Sequence, residues 1–223
     1  MSQEYIDMMN PESVRLLIDA VYEPHFAHYK DEFGKTIRGF FSDEPRIGNT
    51  WFSAHACEYQ YYETRVGLAG MAYPWREGEM VRRMTEVTGY DPMPYIAALW
   101  CDMGKKTAEI RHAYMDAVSS LYRDSFTRQL GDWCRAHGVQ YIGHIIEDNE
   151  SHARLGCSAA HYFRSLDGQD MSGIDVVLHQ IMPGIGQYIH TASAAWNRCD
   201  PAFFDCVLAK LGSSFAHINP QME

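Results

Sequence analysis

Apolar and polar residues alternate along this chain with two different periods, which predict helices and strands in turn. Asn10 and Pro11 open a segment with apolar residues at helical spacing, and this pattern predicts a helix that runs to about Tyr29. A short apolar run then predicts a strand over Ile37–Ser42, followed by a polar tip. Helix, strand and polar tip recur later in the chain, and this order is typical of an α/β protein.

The longest predicted helix runs from Thr107 to His137 and ends at Gly138. Directly after it, Tyr141–Ile146 lies in a nearly continuous apolar run, as expected of a strand that is buried on both faces. Shorter helices are predicted from Gly78 to Thr88, from Asp91 to Trp100, from Ser158 to Leu166 and from Pro201 to Leu211. Further strands are predicted at Tyr5–Met8, at Ile174–Leu178 and near Gln187–Thr191.

Five strands separated by helical sequence predict a parallel sheet with helical crossovers. A closed (β/α)8 TIM-type barrel needs about 250 residues, and the pattern starts and stops in mid-repeat. We therefore expect one domain over residues 1–223, a partial barrel truncated at both ends. Such a segment would leave strand edges through which the chain could self-associate.

Charge and composition exclude several classes of function. The formal net charge of −10 argues against a nucleic-acid partner, because phosphate backbones are bound by clustered Lys and Arg. No apolar run is long enough for a membrane span, and the N-terminus lacks the pattern of a secretory signal, so we expect a cytoplasmic protein. The six cysteines form no C-x-x-C pair and are expected to be reduced thiols. Motifs of serine hydrolases and P-loop nucleotide-binding proteins are missing.

The first candidate for chemistry is the tripeptide Asp43-Glu44-Pro45, which follows the predicted strand Ile37–Ser42. In parallel barrels the catalytic groups project from the C-terminal ends of strands. Glycosidic cleavage needs one carboxyl group that protonates the leaving oxygen, and Glu44 is placed for this role. Pro45 would stiffen the turn that follows. The alternative is that Asp43 and Glu44 cap the next segment or face water.

The second candidate follows the strand Tyr141–Ile146, where His144, Glu147 and Glu150 lie close together in sequence. Crowded carboxylates would raise a carboxyl pKa, as a general acid requires, or would bind a hard cation such as Ca²⁺. An acidic loop that caps the next helix is the alternative, and all of these interpretations stay open.

Asp43, His144 and Glu150 of these two segments are predicted to contact the sugar substrate, and further candidates lie elsewhere in the chain. His179 and Gln180 follow the predicted strand Ile174–Leu178, where they could bind a hydroxyl group. The aromatic-rich stretch over residues 46–75 includes Trp51 and Trp75, whose rings could form a platform for a pyranose face.

Five segments taken together resemble, in order, the catalytic barrel of glycoside hydrolase family 106, the α-L-rhamnosidases. They are Tyr5–Glu12, Gly39–Pro45, Gly143–Glu147, Met171–Asp175 and Leu211–His217. The Asp-Glu-Pro segment also resembles the Asn-Glu-Pro of a large clan of retaining glycosidases, in which the glutamate is the acid/base.

The resemblance implies a glycosidase that acts on carbohydrate, with Glu44 as general acid and Asp43 in place of the clan's asparagine. It implies that His144 and Glu147 line the same pocket, with Glu147 as second carboxylate or pocket residue. It also implies calcium as a cofactor, because the family is inverting and calcium-dependent. Two other functions stay open: a carbohydrate-binding barrel fragment without turnover, and a metal-dependent TIM-barrel hydrolase that uses His144, Glu147 and Asp175.

Overall fold

The structure of this protein, a computed structural model, describes residues 6–45, 47, 73–145, 160–176 and 203–219. Its strands are β1 (Gly39–Asp43) and β2 (Gln140–His144). Its α-helices are, in chain order, α1 (Pro11–Leu17), α2 (Glu23–Tyr29), α3 (Glu79–Thr88), α4 (Lys105–Tyr122), α5 (Arg128–Ala136), α6 (Tyr162–Leu166) and α7 (Ala209–Ile218). Turns of π-helix lie at Ile18–Tyr22, Arg123–Thr127 and Phe203–Leu208, and 3-10 helices at Lys30–Glu32 and Met93–Leu99.

The first predicted helix, which runs from Asn10 to about Tyr29, begins and ends where the sequence predicted. The Asn10 side chain accepts a hydrogen bond from the N–H of Glu12 at 3.1 Å and caps α1. The π-turn Ile18–Tyr22 joins α1 to α2, and it precedes Pro24, which has no N–H for an α-helical bond. In this turn the N–H of Glu23 donates to the carbonyl of Ile18, five residues back, so that the helix continues through the proline. The prediction of one helix to about Tyr29 is confirmed.

The long helix predicted over Thr107–His137 is also confirmed, as α4, a π-turn and α5 in succession. His137 follows α5, and Gly138 has the left-handed backbone conformation, with φ of 72°, that ends a helix. The π-turn Arg123–Thr127 takes up one residue more than an α-turn. Both halves consequently bury apolar side chains, among them Leu121 before the turn and Leu130 after it.

The two strands are parallel neighbours, paired in register from Gly39 with Gln140 to Asp43 with His144. Helices α3, α4 and α5 lie between them in sequence, so the connection is a helical crossover. An added Cβ on Gly143 would lie 2.3 Å from the Ser42 carbonyl oxygen, so only glycine permits this close approach. The described part of the chain is therefore an α/β structure, as predicted.

An aromatic layer packs β1 against the helices. The ring of Phe40 stacks on that of Tyr22 at 4.3 Å between centroids, and Trp133 meets both rings edge-on at 5.2 and 5.8 Å. Tyr22 lies in the π-turn Ile18–Tyr22 and Trp133 on α5. Because aromatic rings bury a large area, this layer fixes the position of β1, which leads to the candidate site.

Two predicted strands are wrong where the structure describes them. Residues 6–8 form no strand, because the Asp7 side chain accepts from the N–H of Met9 at 3.0 Å and turns the chain into α1. Residues 174–176 form none either. The contact with β2 is made earlier, where the N–H of Asp170 donates to the Tyr141 carbonyl at 2.8 Å. The strand near Gln187–Thr191 lies outside the described residues.

Other predicted elements differ in extent. Asp91–Trp100 contains the 3-10 helix Met93–Leu99 rather than an α-helix, and the helix predicted from Ser158 is described from Tyr162. Among the helices of the described ranges, none has both the length and the apolar character that a membrane crossing requires.

Candidate functional site

The candidate site lies at the strand-end edge, which we define as Asp43, Glu44 and His144. Asp43 is the last residue of β1, Glu44 follows it, and His144 is the last residue of β2. Because the strands are parallel and in register, their C-terminal ends lie side by side. Pro45 comes next and is buried. The position predicted for Glu44, directly after a strand, is confirmed.

Asp43 and His144 contact each other across this edge, with 3.0 Å between Asp43 Oδ1 and His144 Nε2. The other ring nitrogen, Nδ1, lies 3.1 Å from the carbonyl oxygen of Ile145. Both nitrogens therefore face oxygen acceptors, and an imidazolium that carries both protons can donate to both. The sequence predicted both residues as sugar contacts but gave no sign of this ion pair.

Glu44 has a backbone conformation that side chains rarely adopt. Its φ is 45°, in the left-handed region, and Ala160 is the other non-glycine residue with positive φ in the described ranges. The proline at position 45 adds to the strain, because a residue before proline favours an extended backbone. Strain of this kind costs about 1–3 kcal/mol and is concentrated at functional sites.

The opposite face of the sheet is held by a partly buried pair of hydroxyl groups that the sequence did not reveal. Ser42 Oγ lies 2.8 Å from the hydroxyl oxygen of Tyr141, which is fully buried. Burial raises the pKa of Tyr141, because a phenolate would lose its hydration. The pair therefore stays protonated and fixes β1 next to the strand-end edge. The alternation of side chains along the two predicted strands is the signal that could have indicated it.

The neighbouring thiol is not a reactive group. Cys134 on α5 is buried, and burial raises its pKa to about 12. It is therefore a neutral thiol near pH 7, since the thiolate is the nucleophilic form.

Trp75 belongs to a different set of contacts. The carbonyl of Pro74 accepts from the Tyr114 hydroxyl at 2.8 Å, and Arg76 donates to the Met9 carbonyl at 3.1 Å. These bonds hold the Trp75 backbone beside α4 and the segment before α1, with 38% of its surface exposed. Within the described ranges, no hydrogen bond, ion pair or ring contact joins it to the strand-end edge. Its role in a sugar platform stays a prediction.

Several predicted site residues lie outside the described part of the chain. They are Trp51, Glu147, Glu150, His179 and Gln180. The predicted pairing of Glu44 with Glu147 therefore stays a prediction.

No group of three or more His, Cys, Asp or Glu side chains that could hold a metal ion is found among the described residues. The His144 nitrogens both face protein oxygens rather than an open position for a metal. A calcium site, and the metal set of His144, Glu147 and Asp175, therefore gain no support from the described part of the chain.

Comparison of the chain with protein-family models, with curated proteins and with solved structures finds no match.

Proposed function

We propose that this protein is a glycoside hydrolase in which Glu44 is the general acid. The proposal rests on one observation above all. Glu44 directly follows the C-terminal end of a parallel strand in a strained, left-handed conformation. Strain at a carboxylate of this kind is expected where function rather than stability selects the backbone.

The pair beside Glu44 supports the same assignment. The Asp43 carboxylate is engaged by His144, and its geometry suits a structural contact better than proton transfer to a substrate. Glu44, which is half-buried beside this pair, is the carboxyl group of the strand-end edge to which we assign proton donation.

The reaction proposed for Glu44 is protonation of the glycosidic oxygen as the bond from that oxygen to the anomeric carbon breaks. The electron pair of the broken bond stays on the leaving oxygen, which takes the proton from the carboxyl group. A second carboxylate either activates the attacking water or forms a glycosyl ester that water then cleaves. We assign this second role to Glu147, which follows β2 by three positions in sequence.

The fold proposed for the whole domain is a (β/α)-barrel. Its support is local: β1 and β2 are parallel neighbours and a helical crossover connects them, as each pair of neighbouring strands is connected in such a barrel. Active sites in barrels lie at the C-terminal ends of the strands, which is where Glu44 lies.

The function is tested by hydrolysis of a panel of aryl glycosides that includes α-L-rhamnosides, with Glu44→Gln as the variant. Glutamine keeps the shape of the side chain but has no acidic proton. Loss of a general acid lowers turnover by about 10²–10⁴-fold. We expect that loss for poor leaving groups such as methoxyphenol, and a much smaller loss for dinitrophenol, which departs without protonation.

Glu86→Gln is the matched control, because Glu86 is an exposed glutamate on α3 that pairs with Arg82. It should hydrolyse every substrate as the parent does. Equal turnover by the parent and by Glu44→Gln for poor leaving groups would remove Glu44 from the mechanism. Binding of glycans by calorimetry without hydrolysis by the parent would instead indicate a carbohydrate-binding protein.

A further inference from the structure

The contact between Asp43 and His144 joins an exposed group to a buried one. The His144 side chain is 9% exposed, whereas that of Asp43 is 77% exposed. A carboxylate with this exposure would ordinarily sample several rotamers in water. The ring of His144 cannot do so, because it is enclosed and its centroid lies 5.9 Å from that of Phe41. His144 is thus the fixed partner, and Asp43 is the group that it holds.

The two residues also end the ladder of backbone pairing. They are register partners at the last paired position of β1 and β2, so the side-chain bond lies where the sheet stops. Strand ends fray when nothing holds them, and a side-chain hydrogen bond at this position opposes fraying. The backbone of Asp43 is in this way fixed to that of its neighbour.

Glu44 comes directly after this fixed point and directly before a buried proline. Its left-handed conformation must be held by the residues around it, because the strain alone would drive it toward an extended backbone. Asp43 anchors it on one side and Pro45 on the other.

We propose that Asp43 is a positioning residue that acts through its bond to His144 and orients Glu44, and not a ligand of a sugar hydroxyl group. This inference rests on the proposed role of Glu44 in glycoside hydrolysis. It assigns to Asp43 a task different from the sugar contact that the sequence predicted for this position.

A kinetic test separates positioning from substrate contact, with the para-nitrophenyl glycoside that the parent hydrolyses best. A misplacement of about 1 Å costs up to about 100-fold in rate, so Asp43→Ala should lower kcat by up to that factor with KM nearly unchanged. Asp43→Asn should recover most of kcat, because its amide oxygen still accepts from Nε2. A rise in KM at unchanged kcat would overturn the proposal and make Asp43 a substrate ligand.

Asp132→Ala is the matched control. Asp132 is 76% exposed and accepts a side-chain hydrogen bond at 2.7 Å from Arg135, so it is as exposed as Asp43 and also paired, but it lies on α5. This variant should leave both kinetic constants unchanged.

A second measurement needs no activity. In NMR spectra of the full chain, Asp43→Ala should shift the Nε2 resonance of His144 and speed hydrogen exchange at the Glu44 amide, whereas Asp132→Ala should change neither. Unaltered His144 and Glu44 signals in Asp43→Ala would overturn the positioning role. A parent that hydrolyses no glycoside but shows these NMR changes would refute the proposed reaction alone.

Discussion

The carboxylate of Asp170 accepts a hydrogen bond from the backbone N–H of Tyr141 at 2.7 Å, while the N–H of Asp170 donates to the Tyr141 carbonyl at 2.8 Å. Asp170 alone thereby pairs both the N–H and the carbonyl of Tyr141. In a sheet these two backbone groups would normally be paired by a neighbouring strand. The other oxygen of the Asp170 carboxylate accepts from Arg135 at 3.2 Å. One side chain thus joins β2 to α5.

Replacement of Asp170 by alanine should destabilise the fold strongly. Its carboxylate is 11% exposed, and its loss leaves the Tyr141 N–H without this acceptor and Arg135 without a buried partner. We expect a loss of about 2–4 kcal/mol in the free energy of unfolding, measured by urea denaturation near pH 7. Asp132→Ala, which removes the exposed partner of the same arginine, should cost less than about 1 kcal/mol. Equal losses in the two variants would contradict this account.

This pairing shows why part of the fold could not be predicted. An apolar run at Ile174–Leu178 predicted a strand, but the contact with β2 is made by a polar residue four positions earlier, through its side chain as much as its backbone. Apolar periodicity finds helices and buried strands well, as for Thr107–His137 and Tyr141–Ile146. It does not detect a carboxylate that replaces a backbone acceptor.

The candidate site could be predicted only in part, because some of its contacts join residues that are distant in sequence. Glu44 could be placed from local sequence, because a polar tip after an apolar run indicates a strand end. The bond between Asp43 and His144 depends on the register of two strands that are distant in sequence, and no local pattern specifies that register. The left-handed conformation of Glu44 is likewise imposed by its surroundings.

The strain at Glu44 predicts opposite effects on stability and activity. Glycine adopts positive φ without steric cost, so Glu44→Gly should raise the free energy of unfolding by about 1 kcal/mol while hydrolysis is lost. Thermal denaturation and turnover of the aryl glycoside panel measure the two effects.

Ala160→Gly supplies the control, because Ala160 has a φ of 67° and lies outside the strand-end edge. The Ala160→Gly variant should be more stable than the parent to a similar extent and should keep full activity. A Glu44→Gly variant that is less stable than the parent would show that the glutamate side chain contributes more than its backbone strain costs.

Two helical glycines should respond to alanine with opposite signs. Alanine in a helix is normally favoured over glycine by about 1 kcal/mol. At Gly131 on α5, however, an added Cβ would lie 1.9 Å from the Gly168 carbonyl oxygen, a clash with backbone. Gly131→Ala should therefore destabilise the protein by about 1–3 kcal/mol.

At Gly212 on α7 the nearest atom to an added Cβ lies at 3.4 Å, an ordinary contact with Ile174. Gly212→Ala should stabilise the protein by up to about 1 kcal/mol. Chemical denaturation measures the free energy of unfolding of both variants. A Gly131→Ala variant that is more stable than the parent would show that α5 and Gly168 are not in close contact.

Stability should fall on mild acidification because of His161. Nδ1 of His161 accepts a hydrogen bond from the N–H of Arg164 at 3.2 Å, which requires the unprotonated nitrogen. Desolvation and the positive charge of Arg164 lower the pKa of His161 below its usual 6.5. The unfolded chain then binds the proton more tightly, so this contribution is complete above pH 6.5 and is lost as pH falls through the lowered pKa.

The measurement is the free energy of unfolding between about pH 7 and about pH 5, for the parent and for His161→Asn. Asparagine can still cap α6, but it does not titrate. The variant should therefore show a flatter dependence on pH in this window. Identical slopes would assign the acid sensitivity to other groups.

The π-turn Arg123–Thr127 absorbs one residue for which a regular α-helix would have no room. Because the extra residue is taken up within the turn, the buried faces of α4 and α5 stay in phase on its two sides. Removal of one residue within the turn should therefore leave an uninterrupted α-helix whose halves keep their orientation. Removal of one residue from the middle of α4 should instead rotate its N-terminal part by about 100° and turn its buried side away from α3, against which it packs. In this long helix the turn is thus the position at which a change of length does the least harm.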